Sequence, residues 1–354
     1  TDLAGISIDN IAIAGDLITV DFSSLDATIN PTLAISFYGW DTKHHIVPAH
    51  ERDANGVDCP HNSRPGCNIE WEPGSTKPFF TEEAGSVAGD WQVTFDMSGF
   101  QAYKTDPIPT LIADGVVKFA EITVMPELEL ADGTEVNIDA VSTSFDLGGS
   151  LIVDNYFQGA NAVVDIDKCD ACHDNTGVLI HGGAGRYGDS MQVCKVCHNP
   201  TFDGSHLEMQ SRSIDSYVHA IHAFQPFDEA DVYNFEAPAI APDPVEVARN
   251  EAHKSHTFPN FTMLSCEGCH NPGTYNVPSQ AFSMPGAQSA SDSYNDPNHR
   301  LIGTIPMTVT GAAGRACGSC HRAYAIKADD ANGLVSFDAH TAAFGTFVED
   351  APLD

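Results

Sequence analysis

The sequence predicts two domains of different character. Residues 1–150 should form an all-β sandwich or split barrel, and residues 151–354 a domain of short helices with little regular structure. Three observations lead there. Up to about residue 150 the chain runs in short β-branched and aromatic stretches separated by Gly, Pro, Asp and Asn. Around Gly148–Asp154 (GGSLIVD) that pattern stops and small polar or Pro/Asp-rich segments take over. Four Cys-x-x-Cys-His pentapeptides occur in the chain, all after that change.

The β elements are read in order from ISIDNIAIAGDLITVDFSS, TLAISFYGW, DWQVTFDM, GVVKFAEITVM and TEVNIDAVSTSFDL. Partial alternation bounded by turn residues describes strands half-buried against a second sheet. Trp40, Trp71 and Trp91 fall here and are expected as core aromatics. Cys59 and Cys67, in CPHNSRPGC, lack the pentapeptide spacing. In an exported protein they are expected to form a disulfide, with a metal site using His61 as the weaker alternative.

The pentapeptides are Cys169–His173, Cys194–His198, Cys266–His270 and Cys317–His321. With 10 Cys and 16 His in 354 residues, random placement gives about 0.01 such motifs. Two thiols at this spacing add across the two vinyl groups of a haem, and the adjacent histidine ligates its iron. Zinc can use paired Cys-x-x-Cys units but does not require a histidine after each, and a thioredoxin-like motif would be single. The reading is a tetrahaem c-type domain. Cys169, Cys172, Cys194, Cys197, Cys266, Cys269, Cys317 and Cys320 attach four haem c groups, and His173, His198, His270 and His321 are proximal ligands.

Haems then supply much of the core, so the chain wraps them in loops and short helices. Ser213–Phe224 (SIDSYVHAIHAF) predicts a helix with a serine N-cap and an aspartate in its first turn. Residues 226–244 read as a loop, 245–254 as a second helix and 279–294 as a surface loop. A low-spin haem needs a sixth ligand. His219 and His222 share one helical face and rank first. His181 follows, in a glycine-rich turn that lets backbone approach a flat macrocycle. His340 is fourth, with His206, His253, His256 and His299 as rivals. His44, His45, His50 and His61 read as surface residues, and Met191 and Met263 as packing.

The formal charge is −33. Such a field repels nucleic acid and anionic membranes and favours cationic partners or bound cations such as Ca2+. No apolar run of about 18 residues exists, so no transmembrane helix is predicted. Covalent haem attachment takes place outside the cytoplasm, so the expectation is a mature exported chain whose leader has been removed.

Taken together, VVDIDKCDACHD, the HGG turn, VCKVCHNP, the VHAIH helix, FPNFTMLSCEGCHNPGTYNVP and RACGSCH followed by AH form a longer pattern. This resembles one pentahaem half of the extracellular decahaem cytochromes of metal-reducing bacteria, the MtrC/OmcA type. The resemblance implies a split-barrel β domain beside a haem domain, and distal ligands at His181, His219, His222 and His340. It further implies a place at the cell surface or outside the cell. This chain departs from the family's half in having four motifs where that half has five.

Bis-histidine ligation leaves no open iron position, which predicts an electron carrier more than a classical enzyme. It would serve minerals, soluble acceptors or other cytochromes. One alternative is an oxyanion reductase with one open haem, which the scarcity of basic residues opposes. Another is a filament in which the chain partners with itself to extend the row of haems as a wire.

Overall fold

The computed structural model describes residues 5–39, 45–49, 69–83, 89–100, 106–136, 138–153, 162–173, 191–198, 266–274, 286–289, 307–310, 331–343 and 347–351, with a few further positions between 213 and 325. It divides into two compact units. One comprises Thr1–Asp53, Asp58–Cys197 and Cys269–Thr274; the other comprises Ala54–Val57, His198–Gly268 and Tyr275–Asp354.

The first unit is built on two antiparallel sheets. β1 (Ile6–Ala14) and β2 (Leu17–Ser24) form the hairpin predicted for the first stretch, turning at Gly15 with φ +61. They join β7 (Asp90–Asp96) and β6 (Phe80–Glu83) in the order β1-β2-β7-β6. The larger sheet has the order β11-β10-β8-β3-β4, from β11 (Leu151–Val153), β10 (Val141–Asp146), β8 (Phe119–Glu129), β3 (Asn30–Tyr38) and β4 (His45–Val47). Short strands β5 (Glu70–Trp71) and β9 (Glu135–Val136) pair with β3 and β8. The unit is mostly β-sheet, as the sequence reading of a sandwich or split barrel requires, and the sheets do not close into a barrel among the described residues.

The inner faces meet through rings. Phe22 lies 6.0 Å from Trp71 and stacks on Trp91 at 5.4 Å, while Phe37 reaches Phe95 at 6.1 Å. Phe79 contacts Phe95 and Phe100 edge-on at 5.9 and 5.3 Å. Such pairs add to area burial because ring edges face ring faces. Trp71 is fully buried, as expected of a core aromatic; Trp40 lies outside the described residues. At the end of β3, Gly39 is required by space: a Cβ there would sit 1.7 Å from the Val116 carbonyl oxygen.

β3 and β8 are buried almost end to end, which alternation alone would not predict. Their outward residues explain it. Glu121, 1% exposed, accepts hydrogen bonds from the hydroxyls of Ser142 and Ser144, the latter at 2.7 Å. Thr123 and Ser142 share a 2.9 Å hydrogen bond, and the Ser36 hydroxyl accepts from the Ala49 amide at 2.9 Å. Tyr38 is buried beside them, and desolvation, then the Glu121 charge, drive its phenol well above the ordinary value. A buried carboxylate is tolerated because hydroxyl donors satisfy it. Between β7 and β8 the short helix α1 (Ile108–Ala113) starts after Pro107 and buries Ile108 and Leu111.

The second unit holds a three-stranded antiparallel sheet, β12 (Gly286–Ser289), β13 (Met307–Thr310) and β14 (Phe347–Ala351). Part of 279–294, read as a surface loop, is therefore strand. GAQS has little strand propensity; its pairing with MTVT, which does, decides the conformation. A helix over Ala331–Ala343 buries Leu334, Phe337 and Thr341, spaced i, i+3 and i+7.

Candidate functional site

The first pentapeptide forms α2 (Ile166–His173). Asp165 starts it: its carboxylate accepts from the Asp167 amide at 3.2 Å, and its carbonyl accepts from the Lys168 amide at 3.2 Å. That is a helix N-cap, and Asp167 adds negative charge to the first turn. Helical spacing places Cys169, Cys172 and His173 at i, i+3 and i+4, one side of the helix. The Cys169 thiol donates to the Asp165 carbonyl at 3.7 Å.

The third pentapeptide is held against the first. Cys266–Gly268 make a 3-10 turn, and His270 then pairs in an antiparallel bridge with Val164. The Asp165 amide donates to the Cys269 carbonyl at 2.9 Å and the Asn271 amide to the Val163 carbonyl at 3.0 Å. Side chains reinforce the bridge: Asn271 Nδ2 donates to the Ala162 carbonyl at 2.9 Å, Thr274 Oγ1 to the Val163 carbonyl at 2.6 Å, and Lys168 Nζ to the His270 carbonyl at 2.6 Å. The Thr274 hydroxyl also lies 3.4 Å from His270 Nδ1.

This bridge brings the thiols of Cys169 and Cys269 into a hydrogen bond. The bond from Cys169, assisted by the Lys168 charge, lowers the Cys269 thiol to about 7 against the cost of burial. The same bond, with burial, raises Cys169. Both cysteines carry free thiols. Lys168, Asn271 and Thr274 were not singled out in the sequence; the only local signal was the HNPGT turn, where Gly273 takes φ +82.

The second pentapeptide lies on α3 (Met191–Cys197), followed by His198. Val193 and Val196 are buried in one apolar cluster with Ala34, Ala49, Met125 and Ala140. Cys194 is half-buried, and desolvation raises its thiol to about 11. The His198 carbonyl accepts the Ile214 amide at 3.1 Å. Ile214, Asp215, Val218 and His219 are helical after the buried Ser213, as the predicted Ser213–Phe224 helix requires, and His219 is exposed.

In the fourth pentapeptide, Cys317 and His321 are helical and exposed, while Gly318, Arg322 and Ala325 turn inward. Arg322 makes other interactions, yet its Nη1 nitrogen is buried without a hydrogen bond. His340 is exposed in the last turn of the Ala331–Ala343 helix, α4.

The remaining predicted residues lie outside the described ones: His181, His222 and Cys320 altogether, and the side chains of Cys172, His173 and Cys197. The same holds for Cys59 and Cys67, for the rival histidines His206, His253, His256 and His299, and for the loop and helix read over 226–254. Among the described residues no group of three or more His, Cys, Asp or Glu could hold a metal ion, and no helix is long and apolar enough to cross a membrane. Of the cysteines that precede a histidine, only Cys269 has a described side chain, and it lies in a turn; a cysteine pair followed by histidine is the donor set that covalent haem uses.

A search of curated proteins finds no match. Among solved structures, MtrC from Shewanella baltica OS185 is similar at 18% identity, covering 62% of this chain and 33% of that one, with a TM-score of 0.38. The outer membrane decaheme cytochrome OmcA is similar at 16% identity, covering 63% and 33%, with a TM-score of 0.35. This sequence matches about a third of the length of each. Residues 161–349 match the family model for outer membrane cytochromes of the MtrC/MtrF-like kind, domains II/IV. That span is more than half of the 354 residues and takes in every pentapeptide, so the chain belongs to the MtrC/MtrF-like outer membrane cytochrome family.

Proposed function

We propose that this chain is an exported electron-transfer protein with two domains, a β domain over 1–150 and a haem domain over 151–354. It carries four covalent haems, each held between two histidines, at the cell surface or outside the cell. It passes electrons to other cytochromes and to extracellular acceptors such as minerals or soluble metals. The supporting observation is the bridge that joins the first and third pentapeptides. Residues distant in sequence are fixed so that two attachment sulfurs, Cys169 and Cys269, touch.

A covalently bound haem supplies one-electron redox chemistry at its iron. The chain's own part is positional. Each cysteine pair would hold a macrocycle, with His173, His198, His270 and His321 as its proximal iron ligands and His181, His219, His222 and His340 as the distal ones. Lys168, Asn271 and Thr274 hold two of the sites at a constant separation. Closing both iron positions favours electron exchange over substrate binding. The formal charge of −33 disfavours the approach of anionic substrates and suits cationic partners and metal ions.

The test is spectroscopic. The reduced holoprotein is expected to show only low-spin haem, to bind no carbon monoxide, and to be reoxidised by ferric citrate. Carbon monoxide binding to one haem would mean an open iron and would favour the oxyanion-reductase alternative.

A further inference from the structure

The contact between Cys169 and Cys269 has chemistry of its own before any haem is attached. Each belongs to a different pentapeptide, yet their thiols are hydrogen-bonded to each other. The contact is built rather than incidental. Cys169 bonds the Asp165 carbonyl, and Asp165 in turn donates its amide to the Cys269 carbonyl. The Val164–His270 bridge, the Asn271 bonds to Val163 and Ala162, and the Lys168 bond to His270 fix the two backbones on either side. The partners expected from motif spacing, Cys172 and Cys266, each sit three residues away in helical or 3-10 backbone.

We infer that the haem-free chain forms a disulfide between Cys169 and Cys269, across two attachment motifs, and that this bond gates haem loading at both. The step is a two-electron oxidation. Both S–H bonds break, the S–S bond forms, and two protons and two electrons pass to a low-molecular-weight disulfide, which leaves as two thiols. An exported chain folds where such oxidants prevail. One bond withdraws a sulfur from each of two haem sites, so the first and third sites load together, after reduction, or not at all. The second and fourth sites are untouched by it. This rests on the haem-attachment reading above.

The experiment uses the full chain produced without haem and equilibrated with oxidised glutathione. Remaining thiols are blocked, and linked peptides are mapped by mass spectrometry. The expected result is a Cys169–Cys269 linked peptide as the main product. It should persist in the C172S/C266S double variant, which removes both within-motif competitors, and disappear in C169S. Within-motif bridges alone, or four free thiols, would overturn the inference. Offering haem and the attachment machinery to the oxidised chain should give a product short of two haems, restored by prior reduction. A chain that loads four haems but never forms the link sinks this inference alone. One that forms the link but attaches no haem sinks the functional reading instead.

Discussion

The carboxylate of Asp96 accepts from the Ser98 hydroxyl at 2.6 Å, from the Ser98 amide at 2.9 Å and from the Gly99 amide at 3.2 Å. It closes the turn that follows β7, the strand carrying Phe95. The Ser98 hydroxyl bond is the largest cause lowering its pKa below the ordinary 3.8. The sign follows from proton linkage. A carboxylate that binds protons less readily when folded stabilises the fold above its unfolded pKa and loses that contribution as pH falls through its lower folded value. Replacing Asp96 by Ala should therefore lower the urea midpoint at about pH 5, and the gap from the parent should narrow below pH 3.8. An unchanged gap would mean that the turn owes nothing to the charge.

At the scale of elements, α3 does two things at once. Its cysteines belong to the second pentapeptide, while Val193 and Val196 pack in the apolar cluster with Ala34, Met125 and Ala140. Val196→Ala leaves every cysteine and histidine in place and removes two buried carbons. At ~0.8 kcal/mol each, plus the cavity, unfolding free energy should fall by about 2 kcal/mol. Val335→Ala on the exposed side of α4, where Val335 is 69% exposed, should change it by less than about 0.5 kcal/mol. Equal effects in urea titrations would contradict the packing described.

The sequence revealed these elements unevenly, and the reasons are physical. β1, β2, β3, β7 and β8 were legible because β-branched and aromatic residues recur between turn residues. The pentapeptides were legible because covalent haem chemistry demands contiguous residues. β12 was not, since its conformation comes from its partner strand. The outer face of the larger sheet was also hidden. Glu121, Ser142 and Ser144 look like solvent-facing positions in a strand, and only the fold shows them buried and bonded to one another. Nor could Cys169 and Cys269 be paired by inspection, because the bridge between Val164 and His270 spans two distant segments.

On the scale of the whole molecule, the acidic chain carries only 16 lysines and arginines against 49 acidic residues. Two of those cations lie at the motifs: Lys168, which donates to the His270 carbonyl, and buried Arg322, directly after the fourth motif's histidine. Four Cys-x-x-Cys-His motifs, the first and third held together by the Val164–His270 bridge, are what the proposed carrier of closely spaced haems would need. The intact mass of the exported protein tests this most directly. The account predicts the polypeptide plus four covalently attached haems, all surviving acid denaturation; a mass corresponding to fewer, or to zinc in their place, would contradict it.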